Sequence, residues 1–434
     1  MASSNPPLSR LAEEIARNSK ILLDHLDRSG LPQPSFERDG PLRTPFENDD
    51  TASAARTALI EATKELHVLA LGPEETTRFF CFNEIYLLGA MQVLCHFKVP
   101  QNVPDTAEIS FSELASRTGL SEALLPRFLR MAAANYYFSE PRPEFVCHTP
   151  WSRTLAHDEG MQACVWFRYA EMLPAVAKFV DMVEEFPNSP EPQDTAFRLA
   201  FGDSFFGYKE KHPLHMLKFG QFVSAFASGE TADSAESIAQ AYPWDCLPEG
   251  SLIVDVGGGT GHISAAISRA HPHLRFQVQD FADLREESIS LAKHRGVSER
   301  VSFTAHNFFD PQPPAAQGAA VFFLRNILHD WSDVYCRRIL KPIAEAMGPS
   351  SRIIVSDIIQ PQAGTMLKTR DARIRALDLT MLSMFNAKER SYEDWERLLT
   401  SVNSRLRITD VLGRPLMRRD TLIEVQLRQL EDGT

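Results

Sequence analysis

Leu252-Ile253-Val254-Asp255-Val256-Gly257-Gly258-Gly259-Thr260-Gly261 decides how this chain folds. Four apolar residues surround one acid, and a glycine cluster follows at once. That order predicts a buried strand running into a tight turn. Glycines let the backbone of such a turn approach a ligand closely. Ile263, Ala266, Ile267 and Ala270 then recur at helical spacing, so a helix should follow with its first N–H groups turned toward that ligand. A dinucleotide fingerprint reads Gly-x-Gly-x-x-Gly. Gly257 and Gly259 fit it, but the third slot holds His262 and the extra glycine is Gly261.

Downstream, strand and helix patterns alternate. Strands are expected at 252–256, 274–279, 301–305, 320–325, 352–357, 406–410 and 421–427, with helices between the first five. This predicts an α/β fold, a doubly wound Rossmann-like sheet of seven strands, parallel through those five. The stretch Leu412 to Asp420 is too short for a parallel crossover, so the last two strands should be antiparallel.

Upstream the chain is helical. Leu8, Leu11, Ile15, Ile21, Leu22 and Leu26 mark an amphipathic helix within 1–30. Residues 31–50 read as a linker rich in Pro, Gly and charge, and a second helix covers roughly 51–72. Phe79 to His96 is apolar enough for a buried helix. Ser110 to Ala115 starts a helix, Thr118-Gly119-Leu120-Ser121 makes a turn, Glu122 to Ala133 is a helix, and Phe138 to Thr149 a hairpin. Helix–turn–helix plus hairpin is the winged-helix pattern. A DNA reader needs basic and polar residues on the second helix. Here only Arg127 and Arg130 interrupt an apolar face, so the block is expected to pack rather than read DNA. Residues 161–245 are helical and rich in aromatics. Trp166 and Phe222 are among those expected to line a flat apolar substrate pocket. Four parts are expected: an arm and linker (1–75), a winged-helix block (76–160), a helical linking segment (161–245) and the sheet domain (246–434).

The 434 residues carry 44% hydrophobic side chains and a net charge of −12. Such an acidic chain disfavours nucleic acid and anionic membrane as partners. Six cysteines without a Cys-x-x-Cys pair suit reduced thiols. Met1 to Ala12 lacks an apolar core region, and no run is expected to approach a membrane span. The expectation is a soluble cytoplasmic enzyme. No metal cluster is visible, and His271-Pro272-His273 is expected at the surface.

Ligands of such sheets lie at the carboxyl ends of the strands, and four strand ends agree. The first is the glycine loop. The second ends at Asp280, about 25 residues after Asp255, where an acid can accept ribose hydroxyls. After the third, Asn307 and Phe308 are placed to contact an adenine by amide and by apolar packing. The fourth is Val321-Phe322-Phe323-Leu324-Arg325-Asn326-Ile327-Leu328-His329-Asp330-Trp331-Ser332-Asp333. Ser332 or Asp330 can cap the next helix. A helix N-terminus beside His329 would disfavour a second proton, so the imidazole is expected to rest neutral and able to accept one.

Taken together, the glycine loop from Asp255 to Gly261, Asp280 and the string Arg325 to Asp333 resemble the caffeate-type small-molecule O-methyltransferases that use S-adenosyl-L-methionine (SAM). The fungal polyketide-tailoring branch is the most similar. The resemblance spans roughly residues 78–430. It implies His329 as general base, with two acids behind it: Asp357 of Val355-Ser356-Asp357, and Glu389 of Lys388-Glu389-Arg390. It implies that Asp255, Gly257, Gly259, Gly261, Asp280, Asn307, Phe308 and Arg325 bind the cofactor, and that Asp330 helps hold the substrate. It further implies a winged-helix dimerisation domain, hence a homodimer, and an aromatic secondary metabolite as acceptor. Two positions depart from the family: Asp357 is often Glu there, and Asn307 is often Asp. Some fungal relatives keep SAM but catalyse dehydration or pericyclic steps, a second expectation that the retained base and acids disfavour. A winged-helix regulator sensing a small ligand is a third, disfavoured by the acidic charge.

Overall fold

The computed structural model describes residues 7–43, 46, 49–227, 235–412 and 421–428. The chain divides into two compact units. The first comprises Met1–Pro174, His212–Ala225 and Leu367–Arg370, and the second Ala175–Lys211, Phe226–Met366 and Asp371–Thr434. The aromatic-rich segment 161–245 is therefore shared between them.

In the first unit, helix Pro7–Ser29 buries Leu22 and Leu26 against Phe46, Ala52 and Ala55. The two expected helices that follow are one helical run, Asp50–His96, broken where Gly72 takes φ 73° and Pro73 follows. Only a glycine enters that left-handed region without strain, and proline cannot continue the preceding hydrogen bonds. Contrary to expectation, this run is long and apolar enough by length and composition to cross a membrane. Nor is its second half buried throughout. Ala90, Met91 and Leu94 enter the core, while Phe80 and Tyr86 are each 65% exposed. Helix Phe111–Thr118 is capped by Ser110 Oγ, which accepts the Glu113 amide, and it ends on Gly119 at φ 75°. The next helix begins at Leu125, not Glu122, because Pro126 sits in its first turn. Strands β1 (Ile109–Ser110), β2 (Phe138–Arg142) and β3 (Phe145–His148) form an antiparallel sheet in the order β1-β3-β2. Leu94, Phe111, Leu114, Leu125, Leu129 and Phe138 close one core beneath them.

The second unit holds the seven-stranded sheet. Its strands are β4 (Leu252–Val256), β5 (Arg275–Asp280), β6 (Val301–Ala305), β7 (Val321–Arg325), β8 (Arg352–Asp357), β11 (Leu406–Leu412) and β12 (Thr421–Leu427). Two short strands, β9 (Ile359–Gln360) and β10 (Arg390–Ser391), pair in parallel beside it. The order is β11-β12-β8-β7-β4-β5-β6. The first five strands are parallel, and β12 pairs antiparallel with both β8 and β11. The link between β11 and β12 lies mostly outside the described residues, as do the first six residues of the expected N-terminal helix. Strands β4, β7 and β8 are apolar on both faces because each face has its own core.

Chain order reverses between β4 and β7, which pair in register at Asp255 and Phe323. Such a switch point opens a crevice at the strand ends. The glycine loop leaves β4 there, and Asn326 to Asp330 leave β7 there. Gly261 closes the loop where it meets strand β5. It takes φ 80°, and a Cβ would lie 2.8 Å from the Val278 Cγ2. Gly261→Ala should therefore destabilise the second unit by about 2–4 kcal/mol, from left-handed strain plus overpacking. Denaturant titration of the variant against wild type checks this.

Candidate active site

Asp255 lies under the glycine loop, not in the crevice. Its Oδ2 accepts the Ser264 hydroxyl at 2.6 Å, and a side chain at Gly258 would strike its carboxylate. Burial pushes its pKa up to about 6. It thus supports the loop from below. Asp280 grips the loop from the end of β5: one oxygen accepts the Gly259 amide at 2.8 Å, the other the Phe281 amide at 2.8 Å. Gly259 itself has φ 59° and open space where a side chain would stand. No side chain caps helix His262–Ala270, which opens from Gly261. Asn307 follows β6, and its Oδ1 accepts the amide of Phe309 in its own turn at 3.1 Å. Phe308 stands edge-on to Phe309 and Trp331. Arg325 ends β7, and its charge acts on Asp255.

Asn326 turns the chain at φ 53°, a conformation asparagine tolerates better than most residues. The turn brings Ile327 against Gly257, whose missing side chain leaves room for it. His329 follows in a short 3-10 turn, Leu328–Asp330. Its Nδ1 donates to Glu389 Oε1 at 3.0 Å. Asp357 Oδ1 stays 3.9 Å from Nδ1, so this shorter acid acts through its charge. Asp330 Oδ1 stands 3.5 Å from Nε2. The side chains of Asp357 and Glu389 are fully buried, and that of His329 is 15% exposed. Asp378, which sequence reasoning missed, accepts the Glu389 amide at 2.8 Å. Nothing in the local pattern of its helix marks it.

The resting charge of His329 corrects the sequence expectation. Burial disfavours the proton, but Asp330, Asp357 and Glu389 outweigh it and push the imidazole up to about 10. Ser332, the expected cap, instead donates its hydroxyl to the Pro190 carbonyl at 2.7 Å. The ring therefore rests as imidazolium at neutral pH. Burial, with Glu389 adding to it, leaves Asp330 raised to about 6 despite the opposing pull of the imidazolium. A histidine whose folded pKa lies above its unfolded value stabilises fully below about 6.5, and that stability is lost as pH rises through 10. The difference in unfolding free energy between wild type and His329→Gln should thus shrink between pH 7 and 10, as read by denaturant titrations across that range.

Trp166 and Phe222 belong to the first unit. There Trp166 meets His215 edge-on at 4.7 Å, and Phe222 stacks on buried Phe167 at 4.5 Å. In the stretch His271-Pro272-His273, Pro272 is exposed and His271 partly so, its ring 13% exposed and bonded to Asp245 and the Ala239 carbonyl.

A family model described as an O-methyltransferase domain matches residues 179–403. The O-methyltransferase aurJ of Gibberella zeae is 33% identical over 92% of this chain and 93% of its own length. The crystal structure of OxaC in complex with SAH and oxaline superposes with TM-score 0.71 at 22% identity, covering 96% of this chain and all of that one. A structure titled a pericyclic reaction enzyme gives TM-score 0.68 at 23% identity, covering 86% of this chain and 94% of that one. At these identities the two structures show the shared fold.

The chain belongs to the O-methyltransferase family. It is an enzyme, and its cofactor is SAM. The residues present suit that cofactor: an open left-handed Gly259, an uncapped helix start, and a carboxylate at the end of β5.

Proposed function

We propose that this enzyme methylates a phenolic hydroxyl of an aromatic, polyketide-type secondary metabolite, with His329 as general base. The observation that carries the reading is the imidazole 3.0 Å from buried Glu389, at the strand end beside the glycine loop. The loop amides and Asp280 hold the cofactor, with Arg325 and Phe308 beside them. Bound SAM supplies an electrophilic methyl group on a sulfonium. The protein has to align the acceptor oxygen in line, remove its proton and exclude water.

His329 gives up its resting proton when a second positive charge enters the same crevice, because like charges disfavour the protonated form. The freed Nε2 then accepts the acceptor's proton. A phenol has pKa about 10, so the freed imidazole takes its proton in step with methyl transfer, and no free phenolate has to form first. Glu389 holds the tautomer through Nδ1, and Asp357 adds charge that stabilises the imidazolium as it forms. Asp330, beside Nε2, orients the acceptor. Incubation with methyl-labelled SAM and a dihydroxynaphthalene acceptor should transfer label to oxygen, with one demethylated cofactor per product. Turnover of acceptor with SAM recovered intact would instead indicate dehydration or pericyclic chemistry.

We also propose a cytoplasmic homodimer joined through the first unit. Phe79, Phe80, Phe82, Ile85 and Tyr86 expose a run of large apolar side chains along one helix, and patches of that kind mark interaction surfaces. Sedimentation should give twice the 48.8 kDa chain mass, and Phe80→Asp should shift it toward monomer.

A further inference from the structure

Arg390 is fully buried, yet a lone guanidinium is costly to bury and must spend its donors. It spends them on the loop that carries the candidate base. Nη1 donates to the Leu328 carbonyl at 2.7 Å and Nη2 to the Trp331 carbonyl at 2.8 Å. Those carbonyls bracket His329 and Asp330. Nε donates to Asp333 Oδ1 at 2.9 Å, just beyond the same loop. Nη2 also reaches Cys336 Sγ at 3.2 Å, and the guanidinium lies over the Trp395 ring.

Arg390 directly follows Glu389, which holds the imidazole ring. It also pairs with Ile359 in the parallel β9–β10 ladder, two residues after Asp357. One dipeptide thus grips the base twice, by its ring through Glu389 and by its backbone through Arg390. The ladder sets the register of that dipeptide against the second acid.

We propose that Arg390 is a positioning residue, whose planar fork locks the 328–331 turn so that His329 meets Glu389 and Asp357 in one fixed geometry. This rests on the base reading of His329, although its primary readouts need no turnover. Lysine keeps the charge but loses the fork, since a single ammonium cannot span two carbonyls and a carboxylate in that plane. The imidazole of the Arg390→Lys variant should then lie less squarely between the acids.

The test compares wild type, Arg390→Lys and Asp333→Asn by histidine ¹⁵N NMR, with His329→Ala identifying the resonance, and by hydrogen exchange. Asp333 is 39% exposed on its side chain, so Asp333→Asn serves if Arg390→Lys does not fold. The expected result is a His329 pKa lower by about one unit or more, with its signal broadened or split between tautomers. Amides of 328–333 should exchange roughly tenfold faster or more, while those of β4 and β5 keep their protection. SAH affinity by calorimetry should stay within about threefold. A purely structural role would lower the melting temperature without moving the His329 titration.

Unchanged His329 titration and unchanged loop exchange in a folded variant overturn the proposal. So does a loss of protection spread evenly over the sheet. Failure of the base reading appears separately, as methyl transfer by His329→Ala at the wild-type rate, whatever the NMR shows.

Discussion

Methyl transfer by His329→Ala should fall by about 10²–10⁴-fold in kcat, the usual contribution of a positioned general base. The loss should be confined to chemistry. His329 sits at the end of β7, whereas the contacts that suit the cofactor come from the glycine loop and Asp280. SAH affinity by calorimetry should therefore change little, and stopped-assay rates with labelled SAM should carry the whole effect. The residual rate should rise with pH, because an acceptor that ionises in solution no longer needs the base. In wild type the imidazole already carries a proton at neutral pH, held by Asp330, Asp357 and Glu389. Cofactor binding should thus release a proton, visible as a buffer-dependent binding enthalpy that His329→Ala abolishes. Wild-type kcat in His329→Ala at neutral pH would remove the base assignment.

The second large effect is expected at Asp280. Its two oxygens accept backbone amides from Gly259 and Phe281, so the carboxylate both shapes the loop and faces the strand end where a ribose would lie. Hydrogen bonds to charged groups are worth about 1.5–3 kcal/mol, and ribose contacts vanish together with the loop anchor. Asp280→Ala should weaken SAH binding by roughly 10²-fold on that basis. At saturating SAM its kcat should stay within several-fold of wild type, because the imidazole and its acids are untouched. A calorimetric dissociation constant equal to wild type would show that the cofactor is held elsewhere.

These two sites differ in how they were legible. Asp280 could be read from strand periodicity and spacing, since a strand end projects its last side chain to a known edge of the sheet. The role of Asp255 could not. Its place beneath the loop depends on Ser264, one helical turn into the next element, reaching back to its Oδ2. That Phe309 takes the Asn307 oxygen could not be read either, because it depends on the geometry of the turn. The protonation of His329 was reversed for a similar reason. The helix N-terminus and, through the resemblance, the two acids behind the ring can both be foreseen, but which of them wins depends on distances that only the folded chain fixes.

The sequence by itself determined the alternation of strands and helices, the antiparallel last pair, the glycine turn and the strand ends where ligands gather. All of these follow from periodicity and turn chemistry within a few residues. Only the tertiary structure decided what those ends do to one another. Glu389 stands 60 residues from His329 yet lies 3.0 Å from its ring, and Arg390 reaches the backbone beside it. Charge and hydrogen bonding depend on distance in space, and side chains far apart along the chain acquire that distance only when the sheet assembles.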